Sequence, residues 1–365
     1  MHGRGLEAPL TLIEERIADG GVAAWTPRLH RIALVEVTNS DDGDHLRRLL
    51  EPTSPGNVQT LAALRPSLVR APRLRLPDVD ALSPRALLVR SLTLSVIQWL
   101  YFDSELAGPG SPDALRKLRV ALRRLRSDLQ TFSPLLDREW AESLRTRLGA
   151  VAGELGTVRD AEVLVGRLAE LVAHLPEDEQ ATATPLVETA AAQLATARAE
   201  LLHRLSLAPY IELLDATVAA VSQPRWSDDD AEPASVTSLA AKRWRRLRRF
   251  VASLDETPAD DELHRVRILA KRVRYASDAS VPAVGAAASA SAAAVANLQT
   301  VLGEQHDAVV TRDWLRRQAI GSTDLAFVTG ELAAIELQRG KEAGRRWREA
   351  WRAASRRKDW RWLRS

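Results

Sequence analysis

Two short segments of the sequence carry cations at the same helical spacing of three, four and three residues. These cations are Arg116, Arg119, Arg123 and Arg126 in the first segment and His264, Arg267, Lys271 and Arg274 in the second. At about 100° per residue, four such positions lie within about 80° of arc on one face of a helix. Each face could therefore present a row of charge-assisted donors to the phosphate oxygens of a linear polyanion.

A solvated basic face is the ordinary alternative for one such helix, with its charge neutralised by carboxylates of neighbouring helices. Like charges at these spacings repel by a few tenths of a kcal/mol per pair, roughly, and neither segment contains an internal carboxylate. The repetition at matched spacing favours a ligand site. We call the two rows the first stripe and the second stripe. Arg124 and Arg272 flank them at equivalent positions.

The helices that would present the stripes each have an apolar side opposite the cations. The apolar residues are Leu118, Leu122, Leu125 and Leu129 opposite the first stripe and Val266, Leu269, Ala270 and Val273 opposite the second. Apolar residues at this spacing predict amphipathic helices that pack on a core and leave the basic face outward.

A second element also occurs twice, at nearly the same offset as the stripes: Leu155–Ala161 (LGTVRDA) and Leu302–Ala308 (LGEQHDA). Two matches at nearly the same offset predict a duplicated helical bundle whose halves pack about a pseudo-twofold axis. Arg159 and His306 are candidates for the anion site. Asp160 and Asp307 follow a glycine, so they are equally well explained as helix-start residues favoured by the helix dipole.

Composition narrows the classes of function. The 365 residues include 51 Lys and Arg against 48 Asp and Glu, a net charge of only +3, and all but five of the basic residues are Arg. Arginine keeps its charge at every relevant pH and binds oxyanions through two donors. The chain has no cysteine, which excludes disulfides, Cys-ligated metals and thiol nucleophiles. No metal site and no cofactor is expected.

The sequence gives no sign of a membrane partner. The first residues lack the apolar core of a signal peptide. The longest uncharged stretch, 279–303, is mostly alanine and contains Pro282 and Gly285, so it is too weakly apolar for a span. A cytoplasmic protein is expected.

Residues 1–82 read as an N-terminal appendage in which 31–37 could be a strand and 44–50 a short helix. From Ser83 onward the helical signals are regular and aromatics are few, which predicts an all-α chain. We divide this part of the chain into a first half at 83–222, a linker at 223–235, a second half at 236–357 and a basic tail at 358–365. The helices are predicted at 83–106, 112–132, 136–155, 157–175, 178–206 and 208–222, then at 236–254, 259–280, 285–303, 305–319 and 322–355.

Two further basic runs, 242–249 and 339–364, interleave arginine with tryptophan. Basic residues alternating with aromatic residues can bind nucleic acid. For Trp347 and Trp351 we favour the ordinary alternative, an amphipathic helix whose tryptophans pack.

The motifs resemble those of the CHAD family, the conserved histidine α-helical domain, over about residues 85–355. The family motif His-x-x-Arg-(Val/Ile)-x-x-(Arg/Lys)-Arg-x-Arg is matched throughout by residues 264–274, whereas the first copy has Arg116 in place of the histidine. The Leu-Gly-x-x-(Arg/His)-Asp element is also similar to that of the family. The resemblance implies two four-helix-bundle-like halves around a basic central cavity.

The resemblance further implies binding of inorganic polyphosphate and association with polyphosphate granules. Non-catalytic binding through the stripes is the expected function, because no catalytic constellation is found. A nucleic-acid-binding helical protein is the alternative, and a metal-dependent phosphoanhydride hydrolase is a weaker one. The expected binding residues are Arg116, Arg119, Arg123, Arg124, Arg126, Arg159, His264, Arg267, Lys271, Arg272, Arg274 and His306.

Overall fold

Short strands precede the helical part of the chain. The computed structural model describes residues 5–6, 21–26, 31–36, 59–60, 73–77, 83–106, 113–228, 235–318 and 322–364. The strands are β1 (Gly5–Leu6), β2 (Gly21–Thr26), β3 (Arg31–Glu36), β4 (Gln59–Thr60) and β5 (Arg73–Arg75). β2 pairs antiparallel with β3, from Gly21 opposite Glu36 to Thr26 opposite Arg31. β3 pairs parallel with β5, and β1 pairs antiparallel with β4.

The strand predicted at 31–37 is confirmed as β3. β2 was not predicted, because its sequence GVAAWT has neither a β-branched run nor a clear alternation. The short helix predicted at 44–50 lies outside the described residues.

Helices account for nearly all of the described chain from residue 83 onward, which confirms the all-α prediction for this part. They are α1 (Pro84–Leu106), α2 (Ala114–Thr131), α3 (Arg138–Ala173), α4 (Glu177–Arg204), α5 (Ala208–Ser222), α6 (Val236–Ala252), α7 (Asp260–Val284), α8 (Ala286–Gln318) and α9 (Thr323–Ala354), with 3-10 helices at Ser133–Leu135 and Arg357–Arg364.

The predicted breaks inside α3 and α8 are wrong. One helix, α3 (Arg138–Ala173), replaces the two predicted at 136–155 and 157–175, and one helix, α8 (Ala286–Gln318), replaces the two predicted at 285–303 and 305–319. Glycine alone weakens a helix by roughly 1 kcal/mol relative to alanine, and the buried apolar stripe continues across Gly156 through Leu155 and Val158. The break predicted between 259–280 and 285–303 is confirmed: Gly285, with a positive φ of 72°, ends α7.

The helical chain divides into two compact units. The first unit comprises residues 1–156 and 202–235, and the second comprises 157–201 and 236–365. This division differs from the halves defined by the sequence repeat, since the end of α3 and most of α4 belong to the second unit. The chain therefore passes between units at Gly156 and again near Leu202.

Each unit has its own core. In the first unit α1 is buried along most of its length, and Trp99 donates a hydrogen bond of 2.7 Å to the hydroxyl of Tyr210, which donates to Asp103 at 2.5 Å. In the second unit the apolar sides of α6, α7, α8 and α9 form one cluster that includes Trp244, Val266 and Trp347. These cores hold α2 and α7 in place, and those two helices carry the stripes.

Candidate anion-binding site

The first stripe lies on α2 of the first unit. Leu118, Leu122 and Leu125 are buried on the opposite side of the helix, as the periodicity predicts. Arg116 is exposed, whereas the other cations of this face are half-buried; these are Arg119, Arg123, Arg124 and Arg126. The arginines therefore lie against protein rather than extending into solvent.

Two glycines of α3 lie directly beside arginines of the first stripe. A Cβ at Gly156 would be 3.3 Å from a terminal guanidinium nitrogen of Arg119, and a Cβ at Gly149 would be 3.2 Å from one of Arg126. Both distances are tighter than ordinary van der Waals contact. The absence of a side chain at these two positions is what lets the planar guanidinium groups approach the helix.

The charges of the first stripe are only partly neutralised. Arg116 forms a two-point ion pair with Asp113 at 2.7 and 2.8 Å. The Nε atoms of Arg123 and Arg126 are buried and have no hydrogen-bond partner in the described part of the chain. Burial and the nearby charge of Arg145 lower the pKa of Arg126. An anion placed here would relieve both effects.

The second stripe lies on α7 of the second unit, with its cations half-buried. The Nδ1 atoms of His264 and His306 lie 3.2 Å apart. Arg274 donates to Gln299 at 3.2 Å and lies 3.8 Å from Asp278. Arg267 lies beside Gly303 of α8, with its Nε 3.9 Å from the position of an added Cβ.

The histidine pair is kept neutral by its surroundings. Burial and the charges of Arg267 and Lys271 lower the pKa of His264. Burial and the charges of Arg267 and His264 lower the pKa of His306 to about 4. Asp160 opposes the shift in both cases. The lowered pKa values favour the neutral form of both imidazoles at neutral pH.

Asp160 and Asp307 do not begin helices, so that interpretation is wrong: both lie in the interiors of α3 and α8. Burial raises the pKa of Asp307, against the lowering effect of Arg267. The second stripe thus has carboxylates within electrostatic reach that the sequence of α7 does not contain.

The remaining predicted residues have separate surroundings. Arg159 forms an ion pair with Glu162 of its own helix at 3.0 Å, and Arg198 lies 3.5 Å from the same carboxylate. Arg124 and Arg272 are half-buried beside their stripes. Arg243 of α6, which sequence reasoning did not select as a site residue, lies within electrostatic reach of Arg272.

Sequence reasoning also missed the role of the glycines. The only available signal was the Leu-Gly pair at equivalent places in both repeats, Gly156 and Gly303. Gly149 has no such signal, since the equivalent position holds alanine.

No group of three or more His, Asp or Glu side chains in the described ranges is arranged to hold a metal ion. Within the same ranges no single helix has the length and apolarity needed to cross a membrane, although α4 and α5 meet that criterion jointly as a bent pair.

The family model described as CHAD domain matches residues 90–316, well over half of the chain. The chain belongs to the CHAD domain family. The match includes both stripes and both Leu-Gly elements, so the residues that carried the resemblance lie within the matched part.

Two curated relatives from Mycobacterium tuberculosis, uncharacterized proteins Rv2226 and MT2285, are each 31% identical to this CHAD protein over 329 residues. The alignment covers 87% of this chain and 58% of each relative. The chain therefore spans a little over half the length of those proteins.

Solved structures with the same fold include PptA from Streptomyces chartreusis, with a TM-score of 0.62 and 21% identity over 76% of this chain and 99% of that one. The CHAD domain from the plant Ricinus communis has a TM-score of 0.58 and 20% identity over 73% of this chain and 91% of that one. At these identities the likeness shows a shared CHAD-like helical fold.

Proposed function

We propose that this CHAD protein binds inorganic polyphosphate, without catalysing a reaction on it, through the first and second stripes. Arg123 and Arg126 support this most directly. Both residues are half-buried, and their buried Nε donors lack an acceptor among the described residues. A buried donor left unsatisfied costs roughly 1–3 kcal/mol, and a phosphate oxygen would supply the acceptor.

A linear polyanion suits this geometry better than a single phosphate. The four positions of each stripe run over ten residues of helix, or about 15 Å at 1.5 Å per residue. One phosphate group can contact only one or two guanidinium groups at a time. A chain of phosphates can engage successive cations of the row, so the contacts add along its length.

The family resemblance supports the rest of the proposal. It implies duplicated bundles with pseudo-twofold symmetry around a basic cavity, and a cytoplasmic protein at polyphosphate granules. Non-catalytic binding is proposed because hydrolysis of a phosphoanhydride usually depends on carboxylates that hold metal ions and on a positioned base, and the stripe helices supply cations instead.

Charge reversal in both stripes tests the proposal. The double variant Arg123→Glu, Arg267→Glu should bind fluorescently labelled polyphosphate about tenfold or more weakly, with a shallower dependence of affinity on salt. Arg123→Gln with Arg267→Gln should fall between this variant and wild type. The control Arg147→Glu, Arg316→Glu makes the same change in net charge at exposed arginines outside the stripes and should bind nearly as wild type does.

Circular dichroism would confirm that all variants keep their helices. Wild-type affinity in the stripe variant, or an equal loss in the control, would show that the stripes are not the site. Release of phosphate from polyphosphate in the presence of magnesium or manganese would contradict the non-catalytic assignment. Displacement of polyphosphate by equal phosphate concentrations of RNA would favour the nucleic-acid alternative.

A further inference from the structure

A second basic surface of the second unit lies outside both stripes. It consists of one face of α6 and the C-terminal 3-10 helix, and we call it the outer basic surface. Its members are Lys242, Arg245, Arg246 and Arg249 of α6 and Arg357, Lys358, Arg361 and Arg364 of the 3-10 helix; all are exposed.

The α6 part of this surface is a one-sided arrangement of charge. At about 100° per residue its four cations lie within about 100° of arc, opposite the buried Trp244, Leu247 and Val251. The helix contains no Asp or Glu. No ion pair or hydrogen bond joins these four side chains to any described residue. The repulsion within the face is therefore not offset locally.

Other surface arginines of the same unit show the contrast. Arg346 pairs with Glu304 at 2.6 Å, and Arg339 pairs with Glu170 and Glu336 at 3.3 and 3.2 Å. These two arginines are neutralised by carboxylates, whereas the four cations of α6 in the outer basic surface have no carboxylate partner among the described residues.

Tryptophan packing holds the two parts of the surface together. Trp360 of the 3-10 helix stacks on Trp244 of α6 with ring centroids 3.7 Å apart and planes at 9°. Trp360 donates to the carbonyl of Ala354 at 2.8 Å, and Trp362 donates to Ser291 at 2.9 Å. The indole rings are consequently buried and cannot stack on nucleic acid bases, whereas the arginines around them remain exposed.

Arg243 connects this surface to the second stripe. Burial and the charges of Arg272 and Arg246 lower its pKa to about 10. Arg272 flanks the second stripe on α7, and Arg246 belongs to the outer basic surface. Arg243 therefore lies within electrostatic reach of both Arg272 and Arg246, on helices α6 and α7 whose apolar sides pack together in one core.

We propose that the outer basic surface extends the second stripe and binds the part of a polyphosphate chain that reaches beyond it. This rests on the proposed function. The electrostatic reach of Arg243 to both Arg272 and Arg246 and the burial of the indoles favour a phosphate chain over a base-bearing polymer. Binding would then strengthen with chain length, because the tethered continuation of the chain meets the second surface at high effective concentration.

The test compares tripolyphosphate, which fits within a stripe, with long-chain polyphosphate. The triple variant Arg245→Glu, Arg246→Glu, Arg249→Glu should bind tripolyphosphate as wild type does and should lose about tenfold in affinity for the long chain. The control Arg316→Glu, Arg317→Glu, Arg345→Glu carries the same charge change at exposed positions and should keep wild-type affinity for both.

Three outcomes would overturn the extension: unchanged long-chain affinity in the triple variant, an equal loss for both probes, or an equal long-chain loss in the control. A loss of duplex DNA binding with unchanged polyphosphate binding would assign the surface to nucleic acid instead. Wild-type protein that binds both probes with the same affinity refutes the extension alone, whereas wild-type protein that binds neither refutes the proposed function with it.

Discussion

A planar guanidinium group can approach the backbone of a helix most closely where that helix presents no side chain. Gly156 and Gly149 provide such places for Arg119 and Arg126, and their Cβ positions would fall 3.3 and 3.2 Å from those groups. Glycine in a helix interior is unfavourable by roughly 1 kcal/mol relative to alanine. In α3 this loss of helix stability occurs at the positions where the guanidinium groups of Arg119 and Arg126 lie against the helix.

Gly156→Ala should therefore separate stability from binding. The free energy of unfolding should stay level or rise by up to about 1 kcal/mol from helix propensity, because the contact that must give is the end of a flexible side chain. Polyphosphate affinity should fall about threefold as the Arg119 guanidinium group is displaced, since misplacing one charge-assisted bond costs part of its value. Urea denaturation and a binding titration measure the two quantities.

Gly166→Ala is the matched control on the same helix. A Cβ there would meet nothing within 4 Å, so the stability gain should appear without loss of affinity. Equal affinity in Gly156→Ala and wild type would show that the glycine has no part in positioning Arg119.

The His264–His306 pair predicts how binding depends on pH. Both pKa values are lowered in the free protein, that of His306 to about 4. Bound phosphate favours the imidazolium form, so binding should take up protons, and affinity should rise as pH falls from about 6.5 toward 4. Arg267 and Lys271 oppose protonation and Asp160 supports it.

Isothermal titration in buffers of different ionisation enthalpy measures this proton uptake. The variant His264→Asn, His306→Asn should bind with a flatter pH profile. Without ligand, the lowered pKa values mean that the unfolded chain binds more protons below about pH 6.5, so wild-type stability should decline toward pH 4. A pH profile of binding in the double variant identical to that of wild type would assign the pH dependence of binding to other groups, Asp307 first among them.

At the scale of elements, the main difference between sequence and structure is the continuity of α3 and α8. The Leu-Gly element occurs in the interior of each helix rather than at its start. Because α3 is continuous, Gly156 lies alongside α2. Because α8 is continuous, His306 and Asp307 lie alongside α7. The repeated element therefore serves contact between helices rather than capping.

Proline at Glu304 tests this continuity. In the interior of α8 the substitution removes the hydrogen bond to the carbonyl of Thr300 and should destabilise the protein by about 3 kcal/mol or more. At a break between two helices, 285–303 and 305–319, as the sequence pattern predicted, proline would be tolerated. Thermal unfolding would distinguish the two. Glu304→Ala corrects for the lost ion pair with Arg346, and similar stability of the two variants would contradict a continuous α8.

Much of the helical fold could be predicted, because amphipathic periodicity and proline at Pro84, Pro134 and Pro209 mark element ends locally. The stripes were found by the same local geometry. The surroundings of the stripes could not be predicted, because Gly149 and Asp160 come from another helix and only packing brings them near. The neutral state of His306 likewise depends on burial, which spacing along one helix does not reveal.

At the scale of the whole molecule, the net charge of +3 hides an uneven distribution. Ion pairs such as Arg346 with Glu304 neutralise part of the surface, whereas the stripes and the outer basic surface concentrate cations. A chain with so small a total has little long-range attraction for polyanions. The proposed binding would instead come from short-range contacts with many phosphates at once, which would make it sensitive to salt.

Polyphosphate should therefore stabilise the folded protein in a manner that salt removes. A ligand that binds only the folded state at a hundred times its dissociation constant adds about 2.7 kcal/mol to the free energy of unfolding, which calorimetry would register as a rise in Tm. At about 1 M salt the Debye length is near 3 Å, so the rise should disappear. Orthophosphate at equal phosphate concentration should give little rise, because it cannot span successive cations. A rise that persisted in high salt, or that remained undiminished in the Arg123→Glu, Arg267→Glu variant, would mean that polyphosphate is held by something other than the two stripes.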